Sequence, residues 1–119
     1  MGNHNEFGRL GEQIAADYLA KQGYHIKERN YRYLKAEIDI VALKGDDLAI
    51  IEVKSRSTNF IAHIADTVTE KKKKLLVMAA DHYVVHHNLD VSVRFDIITI
   101  FKEQGKFKLE HLEDAFYHF

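Results

Sequence analysis

The sequence predicts a mixed α/β domain, helices packed on a central mixed β-sheet, in the order αβββαβ(β). Three observations carry this. Apolar residues recur at helical spacing near the start. Two short apolar runs flank a polar turn. A helix-start signal is then followed by a strongly alternating segment. With 119 residues, 46% hydrophobic and 29% charged, the chain suits one domain with one core, spanning residues 1–119.

The elements follow in order. Residues 6–22 are expected to be helical: Phe7, Leu10, Ile14 and Tyr18 share a stripe, Gly11 and Ala15 extend it, and Gly23 stops it. Residues 24–33 read as a strand. Residues 36–43 and 48–55 read as a hairpin around Lys44-Gly45-Asp46-Asp47. Residues 56–66 show no period and are expected to form a loop or irregular segment. Thr67-Val68-Thr69-Glu70 has the form of a capping box. It opens a helix over 68–87, with Val68, Leu75, Leu76, Met78, Ala79 and Tyr83 as apolar positions. Residues 91–101 alternate as a strand does, with Val91, Val93, Phe95, Ile97 and Phe101 on one side. Phe107–Glu110 is expected as a last short strand, and the tail from His111 as a helical turn or two. Proline is absent, so turns must rest on Gly, Asn and Asp.

Composition narrows the classes. No apolar stretch approaches the roughly 20 residues a transmembrane helix needs, so no membrane partner is expected. The start has no signal-peptide pattern. Without cysteine, disulfides and thiolate metal sites are excluded. A cytoplasmic location is the default expectation. A net charge of −1 argues against a strongly basic nucleic-acid coat, but the distribution says more. Residues 21–35 carry five basic and one acidic side chain, 36–53 one basic and five acidic, and 54–74 six basic and two acidic. A cation site beside phosphate-binding surfaces has this pattern. Ordinary surface charge that folds apart has it as well.

The hairpin holds the candidate site. Glu37-Ile38-Asp39-Ile40-Val41 and Ile50-Ile51-Glu52-Val53-Lys54 are unusually apolar strands to carry two acids and a lysine. If Leu43 faces Leu48 across the turn, the antiparallel register sets Asp39 opposite Glu52. Opposed residues share a face, with Cβ atoms roughly 5 Å apart, and Lys54 lies on that face too. Close carboxylates repel, and burial raises the pKa of at least one. A divalent cation such as Mg²⁺ relieves the conflict, and a lysine adds a positive charge for an oxyanion. These parts suit metal-assisted phosphodiester hydrolysis. The competing reading is a solvated sheet face, with Asp39 paired to Lys54 or Arg56. Against it, the same face carries Val41, Leu43, Leu48 and Ile50.

Asp39, followed thirteen positions later by Glu52-Val53-Lys54, resembles the Asp…(Asp/Glu)-x-Lys arrangement of restriction-endonuclease-like nucleases. The match extends through Gly11-Glu12, Ala15-Ala16, Tyr18-Leu19, Gly23-Tyr24, Arg29-Asn30-Tyr31-Arg32, Glu37-Ile38-Asp39, Glu52-Val53-Lys54-Ser55-Arg56, Ala79-Ala80 and Arg94-Phe95-Asp96. Together these resemble the YraN-type family, also called UPF0102, which is similar to archaeal Holliday-junction resolvases. The resemblance implies a restriction-endonuclease-like fold and a nuclease-type site. It adds Glu12 as a metal ligand beside Asp39 and Glu52, with Lys54 as the motif lysine and Mg²⁺ or Mn²⁺ as cofactor. It implies a nucleic-acid partner, DNA before RNA, branched or otherwise structured. Related resolvases work as dimers, so a homodimer is a further expectation. Ala36 stands where the family usually has glycine, and Phe60-Ile61 where it often has Phe-Gly.

Other residues are ambiguous from sequence. Four consecutive lysines, Lys71 to Lys74, sweep about 300° of a helix and cannot all face one phosphate backbone. Lys72 is singled out because the family usually has lysine there. Arg29 and Arg32, interleaved with Tyr31 and Tyr33, grip nucleic acid by charge and stacking, or belong to an edge strand with tyrosines half in the core. Arg56 contacts phosphate or pairs with a carboxylate. His82 and His86 have i, i+4 spacing but no third zinc ligand, so the histidines are read as exposed. Phe95 is expected in the core, with Arg94 and Asp96 paired on the other face. Two readings compete with a nuclease: a nucleic-acid-binding module without turnover, and an interaction protein that keeps the site as a relic.

Overall fold

The computed structural model describes the backbone of residues 2–56 and 68–116, with side chains from residue 6 onward. Its elements are α1 (Gly2–Lys21), β1 (His25–Tyr33), β2 (Ala36–Lys44), β3 (Asp47–Arg56), α2 (Glu70–His86), β4 (Ser92–Glu103) and β5 (Lys106–Leu112). The predicted order holds. The five strands form one sheet in the order β1-β2-β3-β4-β5. All neighbours are antiparallel except β3 and β4, which run parallel through the α2 crossover. No helix among the described residues is long and apolar enough to cross a membrane.

The sheet separates two apolar layers. On one side Ile40, Ala42, Ala49, Ile51, Ile98 and Ile100 pack under Ala15, Ala16 and Leu19 of α1. On the other, Val41, Leu48, Ile50, Phe95 and Ile97 pack under Leu76, Ala79, Ala80 and Tyr83 of α2. Alternation along the central strands feeds both layers.

Local chemistry sets the helix ends. Gly23 is left-handed at φ +95°. Its N–H donates to Ala20 O and the Tyr24 N–H to Leu19 O, the Schellman pattern that satisfies end carbonyls. The second helix starts two residues later than its sequence suggested. Thr69, not Thr67, is the cap, its Oγ1 accepting from the Lys72 N–H at 3.1 Å. Val68 precedes the helix and is buried. Thr67, the Phe60-Ile61 position and most of the expected 56–66 loop lie outside the described residues.

Three further expectations need correction. Leu10 and Met78 were expected on buried stripes but are 45% and 37% exposed. In α1 the inward stripe runs one position later, through Gly11, Ala15 and Leu19, because Gly11 lets the helix close on β3. As far as Phe116, where the described residues end, the tail from His111 is not helical: His111 and Leu112 continue β5, opposite Ile98 and Ile97, and Phe116 folds onto Phe95. The histidines are not uniformly exposed. His82 is stacked on Tyr33 and bonded to the Tyr31 hydroxyl, and His111 is nearly buried.

A Cβ on Gly11 would collide with Ser55 Oγ and stand 3.3 Å from Ser55 Cβ. Gly11→Val is therefore expected to cost about 1–3 kcal/mol by overpacking, read by urea denaturation. A neutral result would show that α1 shifts freely.

Candidate functional site

The hairpin register is the predicted one: Leu43 pairs with Leu48, Val41 with Ile50 and Ile40 with Ile51. Beyond Ile40 and Ile51 the β2–β3 ladder stops, at the step where Asp39 would face Glu52. There the Asp39 carboxylate takes over a strand's role: its Oδ2 accepts the Val53 N–H at 2.8 Å. In the antiparallel alternation that N–H would otherwise go to the Ile38 carbonyl.

Asp39 reaches this position because alternation breaks around it. Ile38 and Ile40 are two apart, yet they belong to opposite layers. The same break occurs on β1, where Tyr31 faces the α2 layer while Arg29 bonds to α1. Between them, opposite Asp39, Asn30 takes φ +55°, a left-handed conformation asparagine tolerates better than most residues. The expectation that Asp39 shares the Val41 face is thus corrected, because a matched kink in both strands turns it toward β3. The Ala36 departure has no such effect. Ala36 sits in β2 opposite Tyr33, and the left-handed residue of that turn is Leu34, at φ +56°.

Four charged groups act on Asp39 and its neighbour. Burial, then the Glu52 carboxylate, pushes the Asp39 pKa up to about 7, with Glu12 adding to the rise. The Val53 N–H and Lys72 oppose it. Glu52 is 4% exposed. Its Oε2 faces Lys54 Nζ at 3.4 Å and Lys72 Nζ at 3.3 Å. Its Oε1 is buried without a hydrogen-bond partner among the described residues. Such an atom ordinarily costs about 1–3 kcal/mol, and more when charged. Lys54 comes from β3 and Lys72 from the first turn of α2, so two elements converge on one oxygen.

Glu12 approaches from the α1 layer. Its Oε1 accepts from Arg29 Nη2 at 3.3 Å and Asn30 Nδ2 at 3.1 Å, while Arg29 Nη1 also donates to Gln13. Arg29 is therefore tied to the site carboxylate, and β1 is an edge strand whose tyrosines pack against the α2 layer. Arg32 is exposed and 3.7 Å from Glu37, away from the carboxylates. Arg56 ends β3, half-buried, opposite Phe101.

The donor set suits a hard divalent cation: two adjacent carboxylates, one with an unpartnered buried oxygen, the other with its pKa pushed up to about 7 by burial and by its neighbour's charge. Among the described residues, however, no three His, Asp or Glu side chains already form a metal-holding group. Glu12 is turned to Arg29 and Asn30.

Sequence reasoning missed Asn30, and read Lys72 as a backbone grip rather than a neighbour of Glu52. The Asn30 signal was available, since asparagine is a preferred left-handed residue, but nothing local marks a kink within a strand. It also missed the partners of Asp96. Phe95 is in the core and Arg94 pairs with Asp96 as expected. His111 Nε2 at 2.8 Å and the Asp114 N–H at 3.0 Å also reach Asp96.

Comparison with known proteins agrees with the motifs. The family model described as "Uncharacterised protein family UPF0102" matches residues 11–100, a span that includes Glu12, Asp39, Glu52, Lys54 and Lys72. A UPF0102 protein of Flavobacterium psychrophilum is 48% identical over 119 residues, covering 100% of both chains. One of Christiangramia forsetii is 49% identical over the same full span, 100% of both chains. One of Bacteroides thetaiotaomicron is 46% identical over 117 residues, 98% of this chain and 97% of its own. The chain belongs to the UPF0102 family.

Proposed function

We propose that this protein is a divalent-metal-dependent nuclease with a restriction-endonuclease-like fold, hydrolysing phosphodiester bonds in DNA, branched or otherwise structured. The observation that carries the reading is Glu52: a buried carboxylate with one unpartnered oxygen, next to Asp39 and two residues before Lys54. Asp39 and Glu52 would hold Mg²⁺ or Mn²⁺, and Glu12 would join them on leaving Arg29 or Asn30. The ion, when bound, would neutralise phosphoryl charge and lower the pKa of a water. Lys54 would position that water and hold charge against the phosphate. The Val53 N–H orients Asp39, and the apolar layers limit water around Glu52. Arg56 and Arg32 would meet the nucleic-acid backbone outside the carboxylates.

The purified protein is expected to cut at least one of linear, branched or single-stranded DNA when Mg²⁺ or Mn²⁺ is present. Asp39→Ala and Lys54→Ala should each lower the rate by about 10²-fold or more. If the unmutated protein leaves the whole panel intact, RNA included, the nuclease reading fails.

A second reading, a nucleic-acid-binding module without turnover, is favoured by one observation: Glu12 is held by Arg29 and Asn30, and no three acids are grouped as a metal site among the described residues. It predicts affinity that falls steeply with salt as counterions are displaced, and an Asp39→Ala variant that binds as well or better. An interaction protein with a relic site would bind neither Mg²⁺ nor Mn²⁺ in calorimetry.

A further inference from the structure

The four-lysine run divides by contact. Lys73 pairs with Glu70 at 2.9 Å and lies over the Phe116 ring at 5.4 Å. Lys71 and Lys74 are exposed. Lys72 alone of the four reaches Glu52, where it meets Lys54 at the same carboxylate oxygen. Two ammonium groups thus share one anionic oxygen, while the other oxygen of that carboxylate has neither.

We propose that Lys54 and Lys72 are a two-lysine phosphate clamp held on Glu52 in the free protein, and that a divalent cation on Glu52 releases both to a phosphodiester, so that cation and nucleic acid bind cooperatively. The proposal rests on the nuclease-type reading of the site and makes Lys72 part of the centre, not a distant backbone grip.

The geometry favours exchange. At 3.3 and 3.4 Å both contacts are longer than the 2.7–2.9 Å typical of a charge-assisted hydrogen bond, so neither lysine is locked. The lysine side chains are 31% and 38% exposed and the carboxylate only 5%. The ammonium groups therefore stand toward solvent while the acid stays inside. The stems start from different elements: Lys54 from β3, and Lys72 from the capped first turn of α2, where Thr69 holds its backbone N–H. Their two ammonium groups repel one another, and Glu52 is the anion between them. A cation that takes Glu52 removes that compensation, and a phosphate restores it. A phosphate that takes the lysines leaves Glu52 without partners, which a cation restores. Each ligand then raises the affinity of the other by the same factor, as linkage requires.

The test measures Mn²⁺ affinity, from free-ion electron paramagnetic resonance, with and without a phosphorothioate DNA decamer, correcting for Mn²⁺ held by the DNA alone. In the unmutated protein the decamer should tighten Mn²⁺ binding at least about fivefold, the lower end of typical coupling. Lys72→Gln should reduce this to less than about twofold while binding Mn²⁺ alone as well or better, since a competitor for Glu52 is gone. Lys72→Arg should restore part of the coupling, and Lys74→Gln should keep all of it. Mn²⁺ binding without coupling in the unmutated protein, or full coupling in Lys72→Gln, overturns the clamp and leaves the nuclease reading intact. No Mn²⁺ binding under either condition overturns both.

Discussion

Asp39→Asn is expected to make the protein more stable at pH 8 and no more stable at pH 4. The amide keeps an oxygen to accept the Val53 N–H but carries no charge beside Glu52. The Asp39 pKa is raised in the folded protein, from an ordinary 3.8 to about 7. The folded state therefore holds this proton more tightly than the unfolded state does. The resulting stability is fully present below the unfolded value and is lost as pH rises from about 4 through about 7. Three units correspond to roughly 4 kcal/mol. Residual exposure of the side chain screens part of this, leaving about 2–3 kcal/mol as the expected gain of the variant at pH 8. Urea denaturation of both proteins across pH 4–8 measures it. An equal difference at both ends of the range would mean that the charge of Asp39 is not what destabilises the native state. Mg²⁺ at pH 8 should stabilise the unmutated protein and not the variant, because an ion that binds only the folded form adds stability by mass action. If the proposed metal-binding reading holds, this loss of stability is the cost of gathering acids for a cation.

Asp96→Asn is expected to have the opposite sign and a larger size. The Asp96 side chain is fully buried, and its oxygens accept from Arg94 Nε and Nη2 at 2.9 and 2.8 Å, His111 Nε2 at 2.8 Å and the Asp114 N–H at 3.0 Å. Arg94 also donates to the Tyr24 hydroxyl, and His111 Nδ1 meets the Tyr18 hydroxyl at 2.9 Å. With Nε2–H donating to Asp96, Nδ1 of a neutral His111 accepts from Tyr18. Burial alone would raise the Asp96 pKa, but the His111, Arg94 and Asp114 bonds together hold it below the ordinary carboxylate range. The stability it contributes is therefore present above the unfolded value and lost as pH falls through the folded one. Removing the charge leaves Arg94 and His111 facing an amide, which should cost about 3–5 kcal/mol. Combining Arg94→Gln with Asp96→Asn should cost less than Asp96→Asn alone, because no guanidinium is then stranded while the amide oxygen still accepts from His111 and the Asp114 N–H. A double variant that is the less stable of the two would overturn this account. The cluster ties α1 through Tyr18 and β5 through His111 to β4, and so helps hold the helix that carries Glu12.

Much of the fold was legible because it is written locally. Gly23 ends α1, Gly45 and Asp46 close the β2–β3 hairpin, and Phe95 and Ile97 alternate onto the α2 layer. The errors share a cause. Leu10 and Met78 are apolar at helical spacing, but which side of a helix is buried depends on what it meets. A glycine at the contact, Gly11, shifted the stripe. Thr67 and Thr69 both have the chemistry of a cap, and only the structure shows that Thr69 Oγ1 takes the Lys72 N–H. His111 reads as the start of a tail, yet its imidazole has a buried acid to bond, and the strand continues to deliver it.

For the site the division is similar. From sequence alone came the hairpin register that aligns Asp39 with Glu52, the lysine two residues beyond, and the family to which the pattern belongs. The first two follow from the period-two geometry of strands, and the family from the resemblance of the motifs to known proteins. Only the tertiary structure decided that β2 and β3 part at Asp39, that Asn30 kinks with it, and that Lys72 rather than its three neighbours reaches Glu52. Only there is Glu12 seen held by Arg29 and Asn30. Each of these depends on which groups from distant segments compete for one buried oxygen or N–H, and that competition exists only once the two layers have closed on the sheet.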